Sequence, residues 1–115
     1  MNTGLVSVVM CTYNGSLFVA EQIESICRQT YTNLEIIIAD DVSLDNTYDI
    51  LKEYAEKDKR IRLYKNEKNL GFNLNFNKTC HLATGEFIAI SDQDDIWHPE
   101  KLERMLHQWQ PEAHL

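Results

Sequence analysis

The feature that most constrains this chain is a regular alternation. Short apolar runs, rich in β-branched residues, are separated by segments with helical periodicity. Residues 5–11 (LVSVVMC) and 34–39 (LEIIIA) are almost continuously apolar, as strands buried on both faces must be. Residues 61–64 (IRLY) alternate in character and predict an edge strand, and residues 87–90 (FIAI) predict a fourth strand.

Between the runs lie four helical segments. Residues 17–28 place Leu17, Ala20, Ile23 and Cys27 on one face, with Ser16 as the expected cap. Residues 47–57 follow Asn46 and carry the stripe Thr47, Ile50, Leu51, Tyr54 and Ala55. Residues 73–84 follow Phe72 and present Phe76, Cys80 and Ala83, and Gly85 suits a left-handed stop. Pro99 is expected at the first position of a last helix, with Leu102, Met105, Leu106 and Trp109 facing inward. The aromatic and Met stripes are read as core. The order βαβαβαβα predicts an α/β, Rossmann-like, mostly parallel sheet with right-handed crossovers and helices on both faces. At 115 residues the chain reads as one unit, 1–115.

Composition excludes several classes. A formal net charge of −7 argues against a nucleic-acid backbone as partner, because duplex binding needs a basic face. No apolar run approaches the roughly 20 residues that span a bilayer. The opening MNTGLVSVV lacks a basic n-region and a cleavage site, so it does not read as a signal peptide. Cys11, Cys27 and Cys80 are odd in number and widely spaced, which reads as reduced, mostly buried thiols of a cytoplasmic protein. They make no metal-ligand spacing with His81, His98, His107 or His114.

In an open parallel sheet, ligands bind beyond the carboxyl ends of the strands. All four runs here end in polar groups. Thr12, Tyr13 and Asn14 follow the first; Asp40 and Asp41 follow the second. Lys65 to Gly71 follow the third; Ser91, Asp92, Gln93, Asp94 and Asp95 follow the fourth. Crowded carboxylates resist ionising together unless a positive charge sits among them. Carboxylates are hard oxygen donors suited to magnesium or manganese, ions that take one or two of them and leave other positions to phosphates. A DxD triplet at a strand end therefore fits a metal bridging protein and diphosphate. Asp41 is an acceptor suited to a nucleobase imide or a ribose hydroxyl, and Tyr13 can stack on a base. Taken singly, Asp92, Asp94 and Asp95 also read as turn and helix-start residues, Asp41 as a cap, and Asn69 and Asn77 as turn chemistry.

Competing motifs fail on paper. A calcium loop starting at Asp92 would put Ile96 and Trp97 where an oxygen ligand and glycine are required. There is no GxGxxG, no GxxxxGK[ST] and no GxSxG. A nucleotidyltransferase would want a basic phosphate loop near the first strand, and CTYNGS carries no basic residue.

VSVVMCTYNG, IIIADDVSLDNT, NLGFNLNFN and ATGEFIAISDQDDIWHPEKL together resemble the family two glycosyltransferases of the GT-A fold, closest to bacterial rhamnosyltransferase-type members acting on cell-surface polysaccharide. The resemblance implies a nucleotide-diphosphosugar donor carrying uridine or deoxythymidine (a UDP- or dTDP-sugar), a saccharide or lipid-linked acceptor, and Mn2+ or Mg2+. It implies that Thr12, Tyr13 and Asn14 line the nucleotide pocket and that Asp41 recognises the base, with Asp40 beside it. It places Asp92 near ribose and diphosphate and Asp94 on the metal. Val42 departs from the pattern, which has glycine after the acid pair. Family members continue into an acceptor-binding half that supplies the general base, and no residue of 1–115 is assigned that role. The expectation is thus a donor-binding part of a longer, cytoplasmic enzyme, with membrane contact only through segments outside this chain. The alternative is a non-catalytic interaction domain that keeps the fold.

Overall fold

The computed structural model describes residues 4–92 and 94–108. Gln93, Trp109 and the tail after it lie outside the described residues. The elements run β1 (Val6–Thr12), α1 (Val19–Cys27), β2 (Leu34–Asp40), α2 (Thr47–Lys57), β3 (Ile61–Lys65), α3 (Phe72–Cys80), β4 (Phe87–Ser91) and α4 (Lys101–Gln108). The strands form one sheet, ordered β3-β2-β1-β4, with every pairing parallel. The alternation in the sequence thus produced the expected α/β architecture.

The strand pleat explains the two buried faces. Val6, Val8 and Met10 on β1 and Leu34, Ile36 and Ile38 on β2 share one face. They join Ile23 and Ile26 of α1, Leu51 of α2 and Leu102 and Leu106 of α4 in the main core. Val9 and Ile37 point to the opposite face and are equally buried. That face belongs to α3, as the contact between Cys11 Sγ and Thr79 Oγ1 shows. Helices therefore cover both faces.

β3 is an edge strand, as its alternation predicts. β4 is the other edge: Ala89 and Ser91 point into the core, whereas Ile88 and Ile90 remain about half exposed. The polar Glu35 inside β2 is satisfied by Ser7 Oγ, the Thr84 N–H at 2.6 Å and Arg62 Nη1 at 2.9 Å. Burial pushes its carboxyl up, but these donors outweigh that and hold it at about 2.

Several local expectations are corrected. Ser16 does not cap α1: the helix begins at Val19, and the Gly15 carbonyl accepts the Phe18 and Val19 N–H groups at 3.0 and 2.9 Å. Leu17 lies outside the helix and is exposed. At the start of α2, Asp45 accepts the Thr47 N–H at 3.0 Å. Gly85 is not in a left-handed conformation; among the described glycines only Gly71 has positive φ. Gly85 instead allows close approach, since a Cβ there would lie 2.6 Å from the Leu5 carbonyl oxygen. Pro99 stands two residues ahead of α4, and its carbonyl accepts the Thr30 N–H at 2.9 Å. Met105 is largely exposed. The three cysteines are free thiols, half-buried rather than buried. Desolvation raises Cys11 to about 11 and Cys27 to about 12, so neither is a ready nucleophile.

The largest difference is on α3. Its buried side chains are the polar Asn75 and Thr79, while Phe72 is 62% exposed and Phe76 only half-buried. The expected apolar stripe is not the face turned to the sheet: Phe76, Cys80 and Ala83 are only half-buried. Asn75 is accommodated because its amide donates to the Ala39 carbonyl at 3.2 Å and accepts from Asn66 Nδ2 at 2.8 Å.

Candidate functional site

Three described non-glycine residues adopt left-handed backbone conformations: Asn14 at φ 53°, Val42 at φ 61° and Asp94 at φ 71°. Each follows the carboxyl end of a strand, β1, β2 and β4 in turn. Such conformations cost energy for L-residues and cluster where a chain is shaped for function. Because the sheet is parallel, all three turns lie at one end. Because the order is β3-β2-β1-β4, the strand order reverses between β1 and β4, the kind of switch point at which open α/β sheets bind ligands. β2 and β4 flank β1, so their ends stand about 10 Å apart from the usual strand spacing.

A cavity of about 360 Å³ opens at this end. Cys11, Thr12 and Tyr13 line it from β1, and Asp41 lines it from β2. Asn69, Gly71, Phe72 and Asn75 supply the remaining wall from the β3–α3 connection and α3.

The neighbouring acids Asp40 and Asp41 have different work. Asp40 is fully buried and accepts from Thr12 Oγ1 at 2.7 Å, from the Ser43 N–H at 2.9 Å and from Ser43 Oγ at 2.6 Å. It ties β1 to the turn after β2 and does not line the cavity. Asp41 does line it but is only 4% exposed. Its Oδ1 accepts from Asn66 Nδ2 at 2.9 Å and from the Leu70 N–H at 2.8 Å; Oδ2 accepts from the Gly71 N–H at 2.9 Å. Its carbonyl oxygen takes the Asn69 amide at 2.9 Å. Burial raises its carboxyl, but the Asn66, Leu70 and Gly71 donors and the charge of Lys78 win, and it stays below the usual carboxylate range. A carboxylate offers about four lone-pair sites, so Asp41 holds the 66–71 loop and still has acceptor capacity on Oδ2.

Asn14 is exposed. Its backbone N–H donates to Ser43 Oγ at 2.9 Å and its side-chain oxygen accepts the Leu44 N–H at 2.7 Å, joining the turns after β1 and β2. Tyr13, beside it, is 41% exposed on the cavity.

Asp92 and Asp94 are exposed just past β4 and do not line the cavity. The Asp92 carbonyl accepts from Gln22 Nε2 at 2.7 Å, anchoring the turn to α1. Asp95 belongs to the structural reading: it accepts from Trp97 Nε1 at 3.2 Å and pairs with Lys101 Nζ at 3.6 Å. Among the described residues no three acidic, His or Cys side chains form a metal-holding group. Asp92 and Asp94 offer hard carboxylate oxygens, the donor type of which magnesium or manganese takes one or two.

Of the residues expected here, Thr12, Tyr13 and Asp41 line the cavity, whereas Asn14, Asp40, Asp92 and Asp94 do not. From the sequence, Gly71 and Asn69 read only as part of the polar exit after the third strand, Asn69 as turn chemistry, and Cys11, Phe72 and Asn75 are missed. The legible signal was Gly71, a glycine directly before a helix, whose φ of 84° gives the loop its bend.

These features define an α/β protein of the Rossmann-like class, with a cavity at the carboxyl ends of β1 and β2 of a parallel sheet. Residues 7–114 match glycosyl transferase family 2, and the chain belongs to that family. It is 40% identical over 114 residues to an uncharacterised glycosyltransferase of Haemophilus influenzae, covering 99% of this chain and 35% of the relative. It is also 40% identical over 106 residues to an Escherichia coli UDP-Glc:alpha-D-GlcNAc-diphosphoundecaprenol beta-1,3-glucosyltransferase, covering 92% of this chain and 41% of that enzyme. The chain thus spans well under half the length of these relatives. Among solved structures, the mannosyltransferase of Pyrobaculum calidifontis in complex with GDP-Man and Mn2+ superposes with a TM-score of 0.86 at 26% identity, over 94% of this chain and 33% of that one. S. aureus TarS in complex with UDP gives 0.82 at 28% identity, over 89% and 31%. The fold is that of the GT-A glycosyltransferases, and the similarity covers only part of each neighbour.

Proposed function

We propose that this chain is the donor-binding part of a glycosyltransferase that moves a sugar from a UDP- or dTDP-sugar to a saccharide or lipid-linked acceptor in cell-surface polysaccharide synthesis. The observation that carries the reading is that Tyr13 and Asp41 line one cavity while Asp92 and Asp94 stand past the neighbouring strand β4 at the same end of the parallel sheet. The similarity to a UDP-Glc-named relative and to neighbours solved with UDP and GDP-Man supports the donor class.

The roles divide by position. Tyr13 offers a ring face to a base. Asp41 offers its remaining lone pair to an imide N–H or ribose hydroxyl while keeping the 66–71 loop in place. Thr12 and Asn14 hold the turns that frame the pocket, and Asp40 locks them from beneath. Asp92 and Asp94 are the carboxylates that would hold Mn2+ or Mg2+ against the diphosphate. An ion there would neutralise the negative charge that builds on the departing diphosphate. A base acting on the acceptor hydroxyl is assigned to no residue of this chain. The proposed setting is the cytoplasm, at the inner face of the cell membrane. Among the described residues no helix is long and apolar enough to cross a membrane.

The test is calorimetric titration of UDP and of dTDP into the protein, with and without Mn2+. Binding should be metal-dependent and weakened in Asp94→Asn. Absence of binding would refute the donor reading and favour a fold kept as an interaction module, for which the half-exposed Ile88 and Ile90 offer a surface. Binding that ignores both the ion and the Asp94 substitution would refute the metal bridge alone.

A further inference from the structure

We propose that Phe72 forms the second aromatic wall of the nucleobase slot, in addition to Tyr13, and sets a preference for planar heteroaromatic groups. This deepens the donor-binding reading and rests on it.

Phe72 stands at the start of α3 with its ring 62% exposed. The core-facing positions of α3 are Asn75 and Thr79, so the ring contributes nothing to the main core. It lines the same cavity as Tyr13, which follows the end of β1. The ring is also held in place. Phe76, one helical turn on, lies with its centroid 5.9 Å away and its plane inclined by 26°, an offset stack that limits the rotamers of Phe72.

The backbone ahead of it is fixed too. Gly71 adopts φ 84° and gives its N–H to Asp41 Oδ2, so the carboxylate anchors the residue next to the ring. Nothing lies within 4 Å of where a Gly71 Cβ would be, which leaves that side of the slot open. The cavity's roughly 360 Å³ sits at the small end of the ~300–1,000 Å³ usual for ligand sites. That size suits the nucleoside portion of a donor better than the whole. Exposed aromatic faces around one opening, with the Asn69 amide and the spare Asp41 lone pair nearby, match a base: flat, apolar on its faces and polar on its edge.

The experiment is titration of UDP into wild type, Phe72→Ala, Phe72→Leu and Phe72→Tyr in the presence of Mg2+. Loss of a base-stacking ring should weaken UDP about tenfold in Phe72→Ala. Phe72→Leu should remain weakened, whereas Phe72→Tyr should lie within about twofold of wild type, since stacking follows the ring rather than apolar bulk. The thermal midpoint of Phe72→Ala should fall only slightly, because the side chain is mostly exposed and loses just its stack on Phe76. Unchanged UDP affinity in Phe72→Ala, or full retention in Phe72→Leu, overturns the stacking role and leaves donor binding standing. A wild-type protein that binds no UDP overturns both.

Discussion

Val42 is a valine in the left-handed region at φ 61°, directly after the acid pair. The conformation forces Cβ toward the following carbonyl and costs an L-residue roughly 1–2 kcal/mol. Replacing Val42 by Gly removes that strain but also loses side-chain burial, so the bare comparison with wild type mixes two effects. The clean measurement is Val42→Gly against Val42→Ala. Both truncate the half-buried side chain, and only Gly escapes the strain. At an ordinary position Gly is worse than Ala by about 0.5–1 kcal/mol through the entropy of the unfolded chain. Here about 1.5 kcal/mol of relief less about 0.75 kcal/mol of entropy leaves Gly ahead by roughly 0.7 kcal/mol. The order therefore inverts. In urea unfolding the Gly variant should have the higher midpoint at unchanged slope, and in thermal unfolding it should melt roughly 3 °C above the Ala variant. Val42→Asn should fall between them, because Asn tolerates this conformation better than Ala. If the Ala variant equals or exceeds the Gly variant in stability, the left-handed turn after β2 carries no strain and the reasoning fails.

Glu35 and Gly85 give two further outcomes at the opposite end of the sheet. The Glu35 carboxyl is depressed from 4.5 to about 2, so its stabilising contribution is complete above pH 4.5 and is lost as the pH falls toward 2. Acid titration of stability should show a limb in that window, and Glu35→Gln should flatten it; an unchanged limb would deny Glu35 its role. Gly85→Ala should destabilise by about 1–3 kcal/mol, because the new methyl meets the Leu5 carbonyl oxygen and Ser7, groups fixed in or beside β1. A denaturant midpoint equal to wild type would show that this approach can relax.

The chain order of elements was legible because its signals are local. Continuous β-branched runs mark strands covered on both faces, and Thr47–Lys57 coincides with the predicted second helix because its stripe and turn residues agree. The polar character of every strand end was legible for the same reason. α3 was misread because periodicity shows that a face is apolar without showing where that face points. Phe72 and Phe76 recur at helical spacing, yet the helix turns Asn75 and Thr79 to the sheet. That choice is possible only where Ala39 and Cys11, distant in sequence, and Asn66 in the preceding loop offer partners.

The split between adjacent carboxylates has the same origin. Asp40 and Asp41 are equivalent in composition, and strand pleating sends them to opposite sides. One meets Thr12 and Ser43, the other Asn66 and the N–H groups of Leu70 and Gly71. By itself, then, the amino-acid order determined an α/β sheet with parallel strands and acids gathered at one rim, since period and residue type are properties of short windows. Only the tertiary structure decided which acids are consumed in holding loops and which side chains look outward into the cavity. Those outcomes depend on partners that chain crossovers bring together from 25 or more residues away, as in the Asp41–Asn66 and Asp40–Thr12 contacts.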